Sequence, residues 1–140
     1  MFINGEWKTG AKTFAVYNPA TGEEIEQVAD GGEAEANEAI AVAHQAFTTW
    51  AATTAYARST ILYKAYQLMV ERKEELAQLM TKEQGKPLKA ARNEVQYGAD
   101  FLLWFAEEAK RIYGETIPSS RAEQRFIVQY QPVGVVGAVT

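Results

Sequence analysis

The chain has 140 residues, and its 14 Lys and Arg against 18 Asp and Glu give a formal net charge of −4. Its 47% hydrophobic content excludes disorder as the main state, and the acidic balance argues against a nucleic-acid partner. Without cysteine and with one histidine, it cannot itself supply thiol catalysis, a thiolate metal site or a histidine-rich metal site. The sequence contains neither a transmembrane span nor a signal-peptide pattern, so we expect a cytoplasmic protein without a membrane partner.

The first thirty residues predict two small antiparallel hairpins. Asn4-Gly5 favours a tight turn because both residues tolerate a positive φ, and it lies between the short strands 2–3 and 7–8. In the second hairpin, residues 14–17 would pair with residues 24–29 across a turn that contains Pro and Gly.

Apolar residues spaced three or four apart predict three helices in the middle of the chain. The first begins near Asp30 or Gly31, where Asp30 and Glu33 have the spacing of a capping box. The second spans residues 54–84, and Gly85 suits the left-handed conformation that ends many helices.

The third helix is predicted to begin at Pro87, whose missing N–H costs nothing in a first turn. It continues to Tyr113 and ends before Gly114. On its polar side, Glu107 and Arg111 have the i,i+4 spacing of a favourable ion pair.

Four aromatic residues follow one side of this third helix: Tyr97, Phe101, Trp104 and Phe105. Their spacing is typical of a helix packed into a core. It equally fits the wall of an apolar ligand tunnel, and the sequence leaves both interpretations open.

The last quarter of the chain changes to strand periodicity. Residues 125–131 alternate between two unlike faces, as in a strand with one face exposed. Residues 133–139 are an unbroken apolar run rich in valine, which fits a strand buried on both faces of a parallel sheet. Such a strand needs neighbouring strands and a crossover helix, so we expect the chain to be the front part of a longer protein.

Six short motifs follow one another along the chain. They are Phe2-Ile3-Asn4-Gly5-Glu6-Trp7, Asn18-Pro19-Ala20-Thr21-Gly22-Glu23, Glu83-Gln84-Gly85-Lys86-Pro87-Leu88, Phe105-Ala106-Glu107-Glu108, Tyr113-Gly114-Glu115-Thr116-Ile117-Pro118 and Gln131-Pro132-Val133-Gly134-Val135-Val136. In this order they resemble the N-terminal part of an aldehyde dehydrogenase. The third, fourth and fifth motifs are most similar to succinate-semialdehyde dehydrogenases.

The resemblance implies an α/β fold, namely the N-terminal portion of the aldehyde dehydrogenase fold. This portion would comprise small β hairpins, three α-helices, an oligomerisation β-ribbon and the first strand of a Rossmann-like parallel sheet. Residues 1–115 would form the N-terminal part of the NAD(P)-binding domain and residues 116–132 a strand of the oligomerisation arm. Residues 133–140 would be the first core strand of the cofactor-binding sheet. The expected parent is a homodimer or homotetramer that oxidises succinate semialdehyde to succinate with NAD or NADP.

The resemblance also assigns candidate site residues. The family's catalytic cysteine and general-base glutamate would lie beyond the last residue, so no catalytic residue is assigned and we expect this chain alone to be inactive. Val139 and Thr140 would contact the cofactor, because ligands of open α/β sheets bind beyond the carboxyl ends of strands. Asn93, Tyr97 and Phe101 would border the entrance for the substrate.

Some members of the family hold a structural monovalent cation. The matching positions here are the backbone carbonyls of Val16 and Tyr17 and the side chain of Glu83, which is otherwise an ordinary surface residue. Two alternative functions stay open. The substrate could be another small aldehyde, such as betaine aldehyde or lactaldehyde, or the chain could be a non-catalytic module that associates with itself.

Overall fold

The computed structural model describes residues 1–139. These residues form four α-helices and three two-stranded antiparallel sheets. In chain order the elements are β1 (Phe2–Ile3), β2 (Glu6–Trp7), β3 (Thr13–Tyr17), β4 (Glu24–Ala29), α1 (Glu33–Ala51), α2 (Ala55–Glu71), α3 (Lys73–Gln84), α4 (Leu88–Glu108), β5 (Glu115–Pro118) and β6 (Arg125–Val128). Among residues 1–139, no helix has the length and apolar character that crossing a bilayer requires.

Both predicted N-terminal hairpins are confirmed. In β1–β2, Phe2 pairs with Trp7, and the turn between the strands has φ of 55° at Asn4 and 80° at Gly5. These positive values are what the two-residue turn requires. In β3–β4, the register runs from Thr13 opposite Ala29 to the end of β3, where it shifts by a bulge.

Helix α1 begins two residues later than the proposed capping box. Gly32 is its N-cap, and the Glu35 carboxylate accepts a hydrogen bond of 2.9 Å from the Gly32 N–H. The capping box at Asp30 and Glu33 is therefore wrong. The Asp30 N–H donates to the Lys12 carbonyl at 2.8 Å, so it is not available to the Glu33 carboxylate as that capping box would require.

The predicted second helix is two helices, so the count of three helices is corrected to four. The break falls at Arg72, where φ is −93° and ψ is 15°. No apolar side chain lies in residues 71–75, so packing does not hold the two halves in one line. The predicted left-handed end at Gly85 is confirmed by its φ of 70°.

Helix α4 begins directly after Pro87 and ends at Glu108, five residues before the predicted end at Tyr113. The last turn tightens, because the Arg111 N–H donates to the carbonyl of Glu108, three residues back. As a result, the Arg111 side chain pairs with Glu108, and the predicted pair with Glu107 is wrong.

The core lies where α4 packs against α2 and α3. The buried residues of α4 are Ala91, Val95, Ala99 and Ala106, and α3 contributes Ala77. Small side chains at this contact let the helix backbones approach closely. Helix α1 contributes no buried residue and contacts chiefly β1.

The last quarter contains one exposed hairpin. Strands β5 and β6 pair from Glu115 opposite Val128 to Pro118 opposite Arg125, which shortens the predicted strand 125–131 to four residues. Residues 133–139 form no strand, because a strand needs a hydrogen-bonded neighbour and residues 1–139 offer them none. Thr140 lies outside the described residues, and the assignment of residues 133–140 to a core strand of a larger sheet stays a prediction.

Candidate functional site

The structure brings the three predicted substrate-entrance residues together on one face of α4. Asn93, Tyr97 and Phe101 follow each other at intervals of four residues, and all three are exposed. The rings of Tyr97 and Phe101 meet edge to face, with centroids 4.8 Å apart. Phe105 extends the row by one turn, stacked on Phe101 at 6.4 Å. From Tyr97 to Phe105 the rings therefore form a continuous aromatic surface of about two helical turns.

This aromatic surface is not part of the core among residues 1–139. Tyr97 is 65% exposed, Trp104 62% and Phe105 54%. These aromatic residues therefore do not pack into a core within residues 1–139. Their exposure agrees with a surface that faces a ligand or another layer of the protein.

An ion pair from α3 fixes the N-terminal half of α4. The Arg92 guanidinium donates to both carboxylate oxygens of Glu74, at 2.7 and 2.8 Å. This hydrogen-bonded contact with Arg92, with a further bond from Gln78, lowers the pKa of the Glu74 carboxyl to about 2. Glu74 therefore stays ionised at any physiological pH, and the pair joins the exposed surfaces of α3 and α4.

A second polar contact lies one turn further along α4. Lys73 donates to the side chain of Gln96 at 3.1 Å, and Gln96 donates to Asp100 at 2.8 Å. Together with the Glu74 pair, these bonds line the side of α4 that meets α3, so that Tyr97 is directed outward. Sequence reasoning missed these residues, although the spacing of Gln96 and Asp100 was a readable signal.

A cleft of about 530 Å³ lies where the end of α1, the start of α2 and the end of α4 meet. Its apolar lining includes Trp50, Ile61 and Phe105, and Arg58 stands at its edge. The Arg58 guanidinium donates to the Thr53 carbonyl at 2.5 Å. An adjoining cleft of about 300 Å³ is lined in addition by residues 130–132. Neither cleft was predictable from the sequence, because their walls come from distant segments.

The cofactor candidates do not form a site within the described residues. Val139 is fully exposed, and Thr140 lies outside residues 1–139. The sequence also has no glycine-rich phosphate loop. The assignment of Val139 and Thr140 to the cofactor site therefore stays a prediction.

The cation candidates lie on two segments that touch each other. The Pro19 ring, in the β3–β4 turn, is 3.1 Å from the point where a Cβ on Gly85 would sit. Val16 is half-buried and Tyr17 exposed on β3, and Glu83 is exposed near the end of α3. Residues 1–139 contain no cluster of three or more His, Cys, Asp or Glu suited to a metal ion, so carbonyl oxygens would have to dominate any such site.

Comparison with known proteins identifies the class. The family model named aldehyde dehydrogenase family matches residues 7–140, and the chain belongs to this family.

Among its relatives, the mitochondrial succinate-semialdehyde dehydrogenase of Arabidopsis thaliana is 53% identical over 99% of this chain and 26% of its own length. The 3-sulfolactaldehyde dehydrogenase of Pseudomonas putida is 49% identical over 99% of this chain and 29% of its own length. The chain thus spans between a quarter and a third of the length of these relatives.

A solved structure gives the corresponding result for the fold. An E. coli NADP dependent enzyme superimposes with a TM-score of 0.87 at 47% identity, covering 90% of this chain and 27% of that one. The predicted fold class, an N-terminal portion of the aldehyde dehydrogenase fold, is confirmed.

Proposed function

We propose that this chain is the N-terminal part of an NAD(P)-dependent aldehyde dehydrogenase that oxidises succinate semialdehyde to succinate. The observation that carries the proposal is the 53% identity with the Arabidopsis succinate-semialdehyde dehydrogenase over 99% of the chain. In this proposal residues 1–115 belong to the NAD(P)-binding domain, residues 116–132 to the oligomerisation arm of a dimer or tetramer, and residues 133–140 to the cofactor-binding sheet.

In this proposal the chain supplies residues that position the substrate, and none that reacts with it. It has no cysteine, so the thiol that attacks the aldehyde in this family must come from another part of the subunit. NAD or NADP, when bound, accepts the hydride, and of the residues here Val139 and Thr140 would lie nearest to it. Since the described residues do not form the cofactor site, we assign the chain no step in hydride transfer.

Helix α4 would form one wall of the substrate entrance. Asn93, Tyr97 and Phe101 present an amide and two rings on one exposed face, with the Glu74–Arg92 pair joining α3 to α4 nearby. Such a face suits an apolar wall along which a small aldehyde passes. Val16, Tyr17 and Glu83 are proposed as the monovalent-cation site, because the Pro19–Gly85 contact joins their two segments.

A second substrate is favoured by one observation. The 3-sulfolactaldehyde dehydrogenase of Pseudomonas putida is 49% identical to the chain, close to the value for the succinate-semialdehyde enzyme. Both substrates are small aldehydes that carry an anionic group, so the shared chemistry is an ω-anionic aldehyde.

A chimera tests the proposal. This chain replaces the matching segment of the Arabidopsis enzyme, and NADH and NADPH formation is followed with succinate semialdehyde and with 3-sulfolactaldehyde. We expect activity with the first aldehyde from the chimera and none from the 140-residue chain alone. An inactive, well-folded chimera would contradict the proposed activity. Measurable turnover by the 140-residue chain alone would contradict its proposed role as a non-catalytic part.

The entrance assignment has its own test in that chimera. Tyr97→Ala should raise the KM for the aldehyde several-fold with a smaller effect on kcat, because the residue touches the approach path and not the reacting atoms. Tyr56→Ala is the matched control, since Tyr56 lies on α2 and is 73% exposed, against 65% for Tyr97. Equal KM values for the two variants would show that Tyr97 does not border the substrate entrance.

A further inference from the structure

The turn between β1 and β2 carries a reactive pair of residues that the proposed function does not use. Asn4 and Gly5 are both exposed, and both have a positive φ. The Gly5 N–H donates to no acceptor among residues 1–139. Nothing lies within 4 Å of the position that a Cβ on Gly5 would occupy. The side-chain amide of Asn4 is therefore followed by a backbone nitrogen that is neither hydrogen-bonded nor crowded within the described residues.

An asparagine in this setting can react with its own main chain. After the Gly5 nitrogen loses its proton, it attacks Cγ of Asn4 and forms a new N–Cγ bond. The Cγ–Nδ2 bond breaks, and the side-chain nitrogen leaves as ammonia with the proton that Gly5 gave up. One water then opens the five-membered imide at either of its two carbonyls, which leaves aspartate or isoaspartate at position 4. The reaction consumes one water, releases one ammonia and needs no oxidant or reductant.

The other asparagines of the sequence, at positions 18, 37 and 93, lack this combination. Asn18 precedes Pro19, whose nitrogen has no proton to lose. Asn37 and Asn93 lie inside α1 and α4, where helical hydrogen bonds hold the N–H of the next residue. Within residues 1–139, Asn4 is thus the asparagine whose following nitrogen is free to attack.

We propose that Asn4 is a site of spontaneous deamidation, and that its isoaspartate product releases the β1–β2 hairpin from the start of α1. Isoaspartate routes the main chain through the former side chain, which inserts one extra atom into the turn. A two-residue turn fixes the register of its strands, here Phe2 opposite Trp7, and the extra atom disturbs that register. This inference does not rest on the proposed function.

The hairpin holds the start of α1 through Met1. Met1 and Lys8 exchange two hydrogen bonds of 2.8 Å between backbone nitrogen and carbonyl oxygen, one in each direction. The Met1 sulfur lies 2.6 Å from the position of a Cβ on Gly31, next to the N-cap Gly32. Ile3, in the same hairpin, is buried. A disturbed register breaks the Met1–Lys8 pair and therefore withdraws Met1 from α1.

Peptide mapping by mass spectrometry tests the site after the 140-residue chain has been incubated at mildly acidic and at mildly alkaline pH. We expect the peptide with Asn4 to gain about 1 Da, because OH replaces NH2, and to be labelled by an isoaspartate methyltransferase. Conversion should be faster at alkaline pH, since the attacking nitrogen must lose a proton. The peptides with Asn18, Asn37 and Asn93 should stay unchanged. Gly5→Ala should slow conversion at least about tenfold, because a Cβ crowds the nitrogen.

Hydrogen exchange tests the effect on the hairpin. The Lys8 N–H should lose protection in proportion to the isoaspartate formed. Asn4→Asp is the matched control: it keeps the ordinary backbone, tolerates a positive φ and should retain the protection. Circular dichroism verifies that the control and the Gly5→Ala variant keep their helices.

Three results would overturn the inference. Conversion at Asn4 no faster than at the other asparagines, or as fast in Gly5→Ala as in the parent chain, would remove the site. Equal Lys8 exchange in the isoaspartate form and in Asn4→Asp would remove the release of the hairpin. None of these results bears on aldehyde oxidation, which the chimera tests separately.

Discussion

Gly85→Ala measures how strongly the end of α3 is coupled to the β3–β4 turn. Gly85 ends the helix in the left-handed region, with φ of 70°, and its N–H donates to the Thr81 carbonyl at 2.9 Å. A methyl group added there would lie 3.1 Å from Cγ of Pro19. The substitution therefore introduces both a backbone penalty and a contact with the turn.

The two contributions can be separated with Gly22. Gly22 has nearly the same φ, 74°, but nothing lies within 4 Å of the position of its Cβ. Gly22→Ala should therefore cost only the left-handed backbone penalty, about 1–2 kcal/mol. Gly85→Ala should cost about 1 kcal/mol more, because carbon atoms prefer about 3.5–4.0 Å and the Pro19 ring has to move away.

Urea unfolding followed by circular dichroism at 25 °C gives both free energies of unfolding. Pro19→Ala, combined with Gly85→Ala, completes a double-mutant cycle. Since Pro19→Ala deletes the Cγ that the new methyl would meet, the double variant should lose less stability than the two single variants together. Equal losses for the Gly85 and Gly22 variants, with no coupling to Pro19, would refute the contact.

Three further predictions concern the helices. Val95→Ala should cost about 2–3 kcal/mol in urea unfolding, since Val95 is 4% exposed in the core, whereas Val133→Ala, at 91% exposed, should cost less than about 0.5 kcal/mol. The pKa of the Glu74 carboxyl is lowered in the folded chain, so the ionised carboxylate stabilises the fold above pH 4.5, and this contribution is lost as the pH falls towards about 2. Glu74→Gln should therefore flatten that part of the curve of unfolding free energy against pH. Thr54→Ala should lower the melting temperature through a loss of about 1 kcal/mol, because the Thr54 hydroxyl caps α2 by accepting from the Ala57 N–H at 3.2 Å.

The elements that the sequence predicted well are those with local causes. Asn4-Gly5 determines a hairpin because positive φ is needed at both positions, and Gly85 ends α3 for the same reason. The antiparallel pairing of β3 and β4 follows from a short turn, with Pro and Gly, between two strand-forming segments. In each case fewer than twenty residues contain the whole signal.

The errors arose where distant residues decide the local conformation. Asp30 was expected to cap α1, but its N–H is taken by Lys12, eighteen positions earlier. The break at Arg72 separates a helix that packs on α4 through Ala77 from one that packs on α4 near Gly98. The break at Arg72 was missed because the apolar repeat resumes after it, although residues 71–75 carry no apolar side chain.

The candidate site shows the same division between local and distant causes. The interval of four residues alone placed Asn93, Tyr97 and Phe101 on one face, whereas the pair that joins α4 to α3 links Arg92 to Glu74 across eighteen residues.

The arrangement of α4 explains why the spacing of its aromatic residues fitted both a core and a ligand tunnel. Its buried residues are three alanines and one valine, Val95, whereas the rings of Tyr97, Phe101 and Phe105 are exposed. A helix that packs only within this chain would bury its largest apolar side chains, because they contribute most to stability. The exposed rings of α4 are therefore available to a second surface, which agrees with the proposed entrance wall at Tyr97 and Phe101.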